Sequence, residues 1–454
     1  MNLLEENAAL KQENKYLREQ VKKLKKENKY LRSKIDQLEK KLNQILNHNT
    51  PTSQIPIFIK PKTLSPNRDP VGTNKRGKPI GSPGATRTIP TKVDKIIEVK
   101  TDRCSCGSNN VQHLKTNVRY VYDILFMPTL IMFKVYQYKC EDCKQIFNAK
   151  NSQLPRKGIL GNNLVSFLAE LKQNALSYEK CANLIEDISG FKFSPNTLNN
   201  CIIRLGLDLE SDCMEIKRRL RSSNATFIDE SGWKINGENY QLWCFNNREN
   251  IFFEIDKSRG RSVPIRILGP EFDGLVHSDC LCVYDKFANR FQKCWAHLLR
   301  KSFSLSSENP DGDIVKLHKN LSCLFNEVNN FLKNNPTGDE RRKMFVDYTK
   351  KLGLLKNCDW KSGGAKGIIK NWLKKYDGHW LSCVLEQGGE LTNNRSERCL
   401  RKGVVVRKMI GGHRTWQGAT SYAAIESCRQ TWRLGGKSAF LKMRDRLEMG
   451  NLAL

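Results

Sequence analysis

The 454-residue chain lacks any run of about 18 apolar residues, the length that a helix needs to cross a bilayer. Its N-terminus also lacks the charged, apolar and small-residue pattern of a secretory signal peptide. Acidic residues are scarce, since 47 Asp and Glu stand against 77 Lys and Arg, and the net charge is +30. These absences exclude a membrane-spanning protein and predict a cytoplasmic, nucleoid-associated one, because an excess of positive charge indicates nucleic acid as the partner.

Closely spaced cysteines are few. Most of the 16 cysteines stand singly, and in a reducing compartment such residues behave as small core side chains. Two close pairs, Cys104 with Cys106 and Cys140 with Cys143, flank a strand-rich stretch. Pairs brought together by a β-hairpin are typical of a four-cysteine site for structural Zn²⁺. The alternative is a small β module with unligated cysteines.

The first 46 residues repeat an aliphatic residue at every seventh position, which is typical of a coiled coil. These positions are Leu3, Leu10, Leu17, Leu24, Leu31, Leu38 and Ile45. Asn7, Asn14 and Asn28 lie at the matching a positions, where an asparagine is satisfied best by its twin in a parallel dimer. The pattern predicts a homodimer or higher oligomer through this coiled coil. The alternative is an amphipathic helix packed on its own domain.

Residues 47–95 hold eight of the chain's 15 prolines, which predicts an extended linker. Lys75, Arg76 and Lys78 lie among glycines and prolines in this linker. A basic segment of this kind can follow the phosphate backbone of double-stranded DNA, and a plain soluble spacer is the alternative.

Residues 154–222 change to helical spacing. Ser194 followed by Pro195 is typical of the capped start of a helix. Two helices joined by a turn at this point are compatible with a helix-turn-helix whose second helix enters a DNA groove. Helix pairs that do not contact DNA are equally common.

Two predicted strands end in a carboxylate. An apolar run at 225–231 leads to Asp229, a second run at 274–279 leads to Asp279, and Glu397 lies far downstream on a predicted basic helix. Carboxylate oxygens suit Mg²⁺, and a pair of such ions supports phosphoryl transfer by activating the nucleophile and stabilising the leaving oxygen. Taken singly, each carboxylate is more often a helix cap or an exposed charge.

Four blocks of the sequence resemble the insertion sequence 66 family of transposases. They span residues 229–231, 277–285, 293–301 and 393–408. The resemblance implies an RNase H-like (DDE) domain in which Asp229, Asp279 and Glu397 form the catalytic triad and bind Mg²⁺ or Mn²⁺. It implies a DNA transposase of a bacterial or archaeal type of insertion sequence, which binds the element ends and catalyses metal-dependent strand cleavage and transfer to target DNA.

The sequence departs from the family pattern at four places. Ser231 and Ser278 stand where threonine is usual, the first cysteine pair is CxC, and the familiar Asp-Pro-x-x-Tyr ending is missing. An inactive transposase copy is therefore one alternative. The other is a non-enzymatic dimeric DNA-binding regulator that contains zinc, although a regulator has no use for three converging carboxylates.

Cations crowd around the predicted catalytic glutamate, and beside a carboxylate site they indicate a cradle for phosphate rather than a solvated face. We expect DNA contacts from Arg300, Arg398, Arg401, Arg407 and Lys408.

The sequence as a whole predicts an α+β multidomain protein. Its parts are a coiled coil at 1–46, a basic linker at 47–95, a small β zinc-binding module at 96–153, a helical DNA-binding segment at 154–222, an α/β RNase H-like catalytic domain at 223–437 with a helical insertion at about 300–385, and a C-terminal helix at 438–454.

Removal of residues 1–46 should lower the oligomeric state, because the heptad seam is then lost. Analytical ultracentrifugation at low protein concentration should show a smaller species than the full chain. Identical sedimentation of the two proteins would show that assembly does not depend on the coiled coil.

Purified protein should contain one Zn²⁺ per chain, and replacing Cys140 by serine should release it and unfold the module locally, because such sites supply much of a small module's folding free energy. Metal analysis and limited proteolysis measure both effects. Protein without stoichiometric zinc would contradict the four-cysteine site.

Overall fold

The computed structural model describes residues 17–22, 24, 25, 27, 28, 30–35, 96, 128–139, 142, 146–284, 287, 288, 290–308 and 312–452. The predicted zinc ligands and linker cations lie outside this part of the chain: Cys104, Cys106, Cys140, Cys143, Lys75, Arg76 and Lys78. None of the helices in the described part is both long and apolar enough to span a membrane.

The described residues between Leu17 and Ile35 are helical. Five residues of the predicted heptad seam are between 49% and 62% exposed in the single chain: Leu17, Val21, Leu24, Leu31 and Ile35. An apolar seam left open in this way is what a coiled coil would cover. Dimerisation itself stays a prediction.

A short hairpin occupies part of the predicted zinc module. Strand β1 (Gln137–Lys139) pairs antiparallel with β2 (Ile146–Asn148). The second predicted cysteine pair lies between these strands in the sequence, outside the described residues.

A mixed five-stranded sheet forms the centre of the described chain. Its strands are β3 (Ala225–Ile235), β4 (Glu238–Asn246), β5 (Ile251–Asp256), β6 (Leu275–Ser278) and β7 (Phe291–Lys293). The order across the sheet is β5-β4-β3-β6-β7. β3, β4 and β5 form an antiparallel meander, whereas β6 is parallel to both β3 and β7. The short strand β7 was not expected from the sequence.

Helices surround this sheet. Four precede it: α1 (Asn162–Gln173), α2 (Tyr178–Ser189), α3 (Pro195–Asp208) and α4 (Glu210–Arg221). Helix α5 (Ser262–Leu268) connects β5 to β6, and a 3₁₀ turn, Cys282–Tyr284, follows β6. After β7 come α6 (Trp295–Glu308), α7 (Gly312–Lys333), α8 (Gly338–Asn357) and α9 (Gly363–Ile368), which a π-helical turn continues at Ile369–Lys374, and a 3₁₀ turn at Ser382–Val384. The chain then forms α10 (Asn394–Ile410), α11 (Trp416–Leu434) and α12 (Ala439–Leu452).

The region after β7 has a hydrophobic core of its own. Buried residues of α6, α7 and α8 pack with those of α9 and the π-helical turn, and Trp295 and Trp380 lie at the centre of this cluster. Trp295 donates its indole N–H to the carbonyl of Trp380 at 2.5 Å. The stretch between β7 and α10 is therefore a helical layer, as its sequence spacing predicts.

The predicted cap of α3 is present, because Ser194 Oγ accepts the N–H of Thr197 at 3.1 Å and Pro195 opens the helix. One face of α3 is buried against α11. At Gly206 the two helices touch so closely that a Cβ atom would lie 2.5 Å from Cβ of Ser421. α3 therefore offers only its outer face, which includes Asn196 and Asn200, to any partner.

Gly206→Ala should destabilise the fold by about 1–3 kcal/mol, because the added methyl group forces α3 and α11 apart. Gly353→Ala in α8 is the matched control, since a Cβ there meets no atom within 4 Å, and alanine should be neutral or stabilising by up to about 1 kcal/mol. Urea unfolding measures both variants. Equal stability of Gly206→Ala and the wild type would contradict the close crossing.

Candidate active site

Asp229 and Asp279 lie at the same level of the sheet. Asp279 directly follows β6, as the sequence predicts. The predicted end of the first strand at 229–231 is wrong, because β3 continues to Ile235 along its hairpin partner β4. On its other side, β3 pairs with β6 only as far as Phe227, which is opposite His277. Two residues further on, Asp229 is level with Asp279, at the edge where β6 has ended.

Glu397 reaches this edge through the anchored start of α10. The buried Asn393 donates its side-chain N–H to the carbonyl of Ile228 at 2.7 Å, and its backbone N–H points to Cys294 Sγ at 3.1 Å. Glu397 then lies in the first turn of α10. A carboxylate is favoured there by the positive end of the helix dipole. The first asparagine of the 393–398 block therefore fixes the helix beside Asp229.

The three predicted catalytic carboxylates are close enough to affect one another. Burial raises the pKa of Asp229 to about 8, and the negative charges of Glu230, Asp279 and Glu397 add to this effect. The backbone N–H of Glu230, which donates to Asp229 Oδ1 at 3.0 Å, opposes it only in part. The fold therefore concentrates negative charge at one point.

Glu397 is held by a protein cation. Its Oε1 accepts a hydrogen bond from Arg300 at 2.9 Å, and His297 Nε2 lies 3.9 Å from the same oxygen. Burial and the nearby guanidinium of Arg300 lower the pKa of His297. Arg300, which we expected to contact DNA, is thus an ion-pair partner of the carboxylate site in this structure.

The carboxylates suit a divalent cation by type, because hard oxygen ligands are those that Mg²⁺ prefers. In this structure, protein hydrogen-bond donors hold two of these carboxylates. Arg300 donates to Glu397, and the backbone N–H of Leu281 donates to Asp279 Oδ1 at 2.9 Å. Within the described residues, no three His, Cys, Asp or Glu side chains are arranged to hold a metal ion. A bound ion would therefore require Glu397 to leave Arg300.

Other acidic residues near the site have their own partners. Glu230 pairs with Arg259 at 2.8 Å and accepts a hydrogen bond from Tyr284, so its carboxylate is already used. Glu390 pairs with Arg395 at 2.6 Å. Asp285, the last residue of the 277–285 block, lies outside the described residues.

A buried lysine beneath Asp279 was missed by the sequence reasoning. Lys293 is 1% exposed, and its Nζ lies 3.2 Å from the carbonyl oxygen of Asp279 and 3.4 Å from Ser278 Oγ. It also lies over the ring of Tyr376 at 4.7 Å. The fold thus places a positive charge directly behind the carboxylates. The only sequence signal was its position at the start of the 293–301 block.

His277, although part of a family block, is a structural residue. It is 1% exposed and stacks on Phe227 with ring centroids 4.0 Å apart. Burial lowers its pKa to about 3, so the imidazole is neutral at pH 7. Its contribution is to pack β6 against β3 just before the two aspartates.

Three of the predicted DNA-contacting cations share one exposed face of α10. Arg398, Arg401 and Lys408 recur at helical spacing on this face, and none forms an ion pair with a described acidic residue. Arg407 behaves differently, because its half-buried guanidinium donates to the carbonyl of Gly232. The exposed cations begin one residue after Glu397 and lead away from the carboxylates along the helix.

Comparison with known proteins gives one family match. A family model described as Transposase IS66 family matches residues 157–421, which include the whole sheet, the helical layer after β7, and α10. None of the curated proteins matches the chain.

Proposed function

This chain belongs to the transposase IS66 family, and we propose that it cleaves and joins DNA by metal-dependent phosphoryl transfer at Asp229, Asp279 and Glu397. The observation that carries the proposal is the convergence of these side chains from β3, β6 and α10 on one edge of the sheet. The strand order, with an antiparallel meander followed by two parallel strands, supports an RNase H-like catalytic domain.

The carboxylates would hold Mg²⁺ or Mn²⁺, and such ions would activate the attacking water or 3′-hydroxyl and stabilise the leaving oxygen. Each of the three carboxylates comes from a different strand or helix of the fold. Asp229 and Asp279 come from neighbouring strands of a rigid sheet, and Glu397 comes from a helix whose start is fixed by Asn393. Rigid supports of this kind keep the oxygens in place while the charge of the phosphate enters.

Arg300 has two roles in this proposal. It neutralises Glu397 before DNA and metal arrive, and once released it is free to contact a phosphate oxygen beside the site. Lys293 offsets negative charge from behind without meeting the substrate, because it is buried. Arg398, Arg401 and Lys408 hold the DNA backbone along α10.

The partners proposed for the full chain are double-stranded DNA, both at the element ends and in the target, and a second copy joined through the N-terminal coiled coil. The zinc module and the basic linker would add DNA contacts outside the catalytic domain. A non-enzymatic regulator would share these partners, and it would bind the same DNA without cutting it.

Asp229→Asn, Asp279→Asn and Glu397→Gln should each lower Mg²⁺-dependent strand cleavage by on the order of 10³-fold or more, because the three ligands act as a unit. DNA binding should persist or tighten, since a negative charge facing phosphate is removed. Cleavage and binding are measured on DNA that carries the element's own ends.

Glu390→Gln is the matched control, because it removes one negative charge close to the site from a carboxylate that is paired with Arg395. Its cleavage rate should stay near that of the wild type. A triad variant that still cuts at near wild-type rate would remove its residue from the catalytic set. Binding without cleavage by the wild type would favour the regulator or an inactive copy.

A further inference from the structure

One stretch of the helical layer after β7 contains basic residues and no acidic ones. Residues 361–375 include five lysines and no acidic residue. The neighbouring helices mix both signs and pair them, as Lys351 does with Glu327 at 2.7 Å. A uniformly basic segment is therefore unusual in this layer, and it differs from the mixed surface of an ordinary solvated helix.

Three of the five lysines of this segment lie on one side of it. Lys366, Lys370 and Lys374 are exposed, whereas the intervening apolar residues are buried in the core of the layer. None of the three forms an ion pair with a described acidic residue.

Two glycines, Gly363 and Gly367, precede the π-helical turn on the same side. A Cβ atom built on either glycine meets nothing within 4 Å, and neither has a backbone conformation that requires glycine. Glycine within a helix is less favourable than alanine. Glycine at these two positions does not benefit the fold. A partner whose backbone approaches closely would need the space that a side chain would fill.

The segment is connected to the candidate active site. Tyr376, two residues after Lys374, donates its hydroxyl to the carbonyl of Cys280 at 2.8 Å, and Cys280 follows Asp279. Helix α9 also packs on α6, the helix that carries Arg300. The segment is therefore tied to the strand end that carries Asp279.

We infer that Gly363, Lys366, Gly367, Lys370 and Lys374 form a second DNA-binding face, which holds the phosphate backbone of a duplex outside the active site. This inference rests on the proposed function for its partner, and it extends that function to a surface which the family blocks do not include. Lysines supply the charge, and glycines let the backbone approach.

The test compares two triple variants of the full-length protein on a random-sequence duplex without divalent metal. Lys366→Gln/Lys370→Gln/Lys374→Gln should bind more weakly, and the slope of log K against log salt concentration should fall by about 2.7, because each phosphate contact contributes about 0.9. The control, Lys316→Gln/Lys319→Gln/Lys343→Gln, removes the same charge from exposed lysines of α7 and α8. Its slope should change by less than about one contact.

Gly367→Leu tests close approach without any change of charge. It should weaken duplex binding several-fold and leave the salt slope unchanged, and its melting temperature should equal or exceed that of the wild type because leucine favours the helix. Wild-type affinity for Gly367→Leu would overturn the contact. The proposal of a DNA-binding face would be overturned if the lysine variant kept the wild-type salt slope, or if the control variant lost as much slope as the lysine variant.

The binding assay without metal separates this inference from the proposed catalysis. If the wild type binds DNA but never cuts it with Mg²⁺, the proposed reaction fails, and the lysine face is still decided by the salt slopes. If the wild type cuts and the slopes do not differ, the reaction stands and the face fails.

Discussion

The buried hydrogen bond from Asn393 to the carbonyl of Ile228 is the constraint on which the site depends. It fixes the start of α10 against the strand that carries Asp229, and it therefore decides where Glu397 lies. Leaving one partner of such a buried bond unsatisfied costs about 1–3 kcal/mol. The bond thus helps to hold three carboxylates together against a mutual repulsion, which adds to the effect of burial in raising the pKa of Asp229.

Three positive charges reduce the repulsion between the carboxylates, and they differ in whether they can move away from the site. Lys293 is enclosed behind Asp279, and the helix dipole of α10 is part of the backbone. Arg300 is half exposed and holds Glu397 through one hydrogen bond, so it is the only one of these three that can exchange places with an incoming ion. The negative charge of the site is therefore offset by the protein's own groups, and moving the Arg300 side chain would shift this balance.

Some backbone positions at the candidate site could be predicted from the sequence, and most of its surroundings could not. Asp279 could be placed at a strand end because the apolar run before it is short and β6 does end there. The end of β3 was misjudged because Ser231 and Gly232 resemble a turn, whereas pairing with β4 carries the strand through them. Lys293 could not be foreseen as buried, since its surroundings include Tyr376, which comes from a distant part of the chain. The open space around Gly363 and Gly367 could not be predicted either, because it depends on how distant parts of the chain pack.

The crossing of α3 and α11 at Gly206 and Ser421 has a geometric consequence for DNA cutting. Because α11 also packs on β5 of the central sheet, the outer face of α3 and the three carboxylates belong to one rigid frame. A DNA duplex bound by α3 would therefore lie at a fixed distance from the three carboxylates. The distance between a recognised sequence and the cut phosphate would then be set by helix packing.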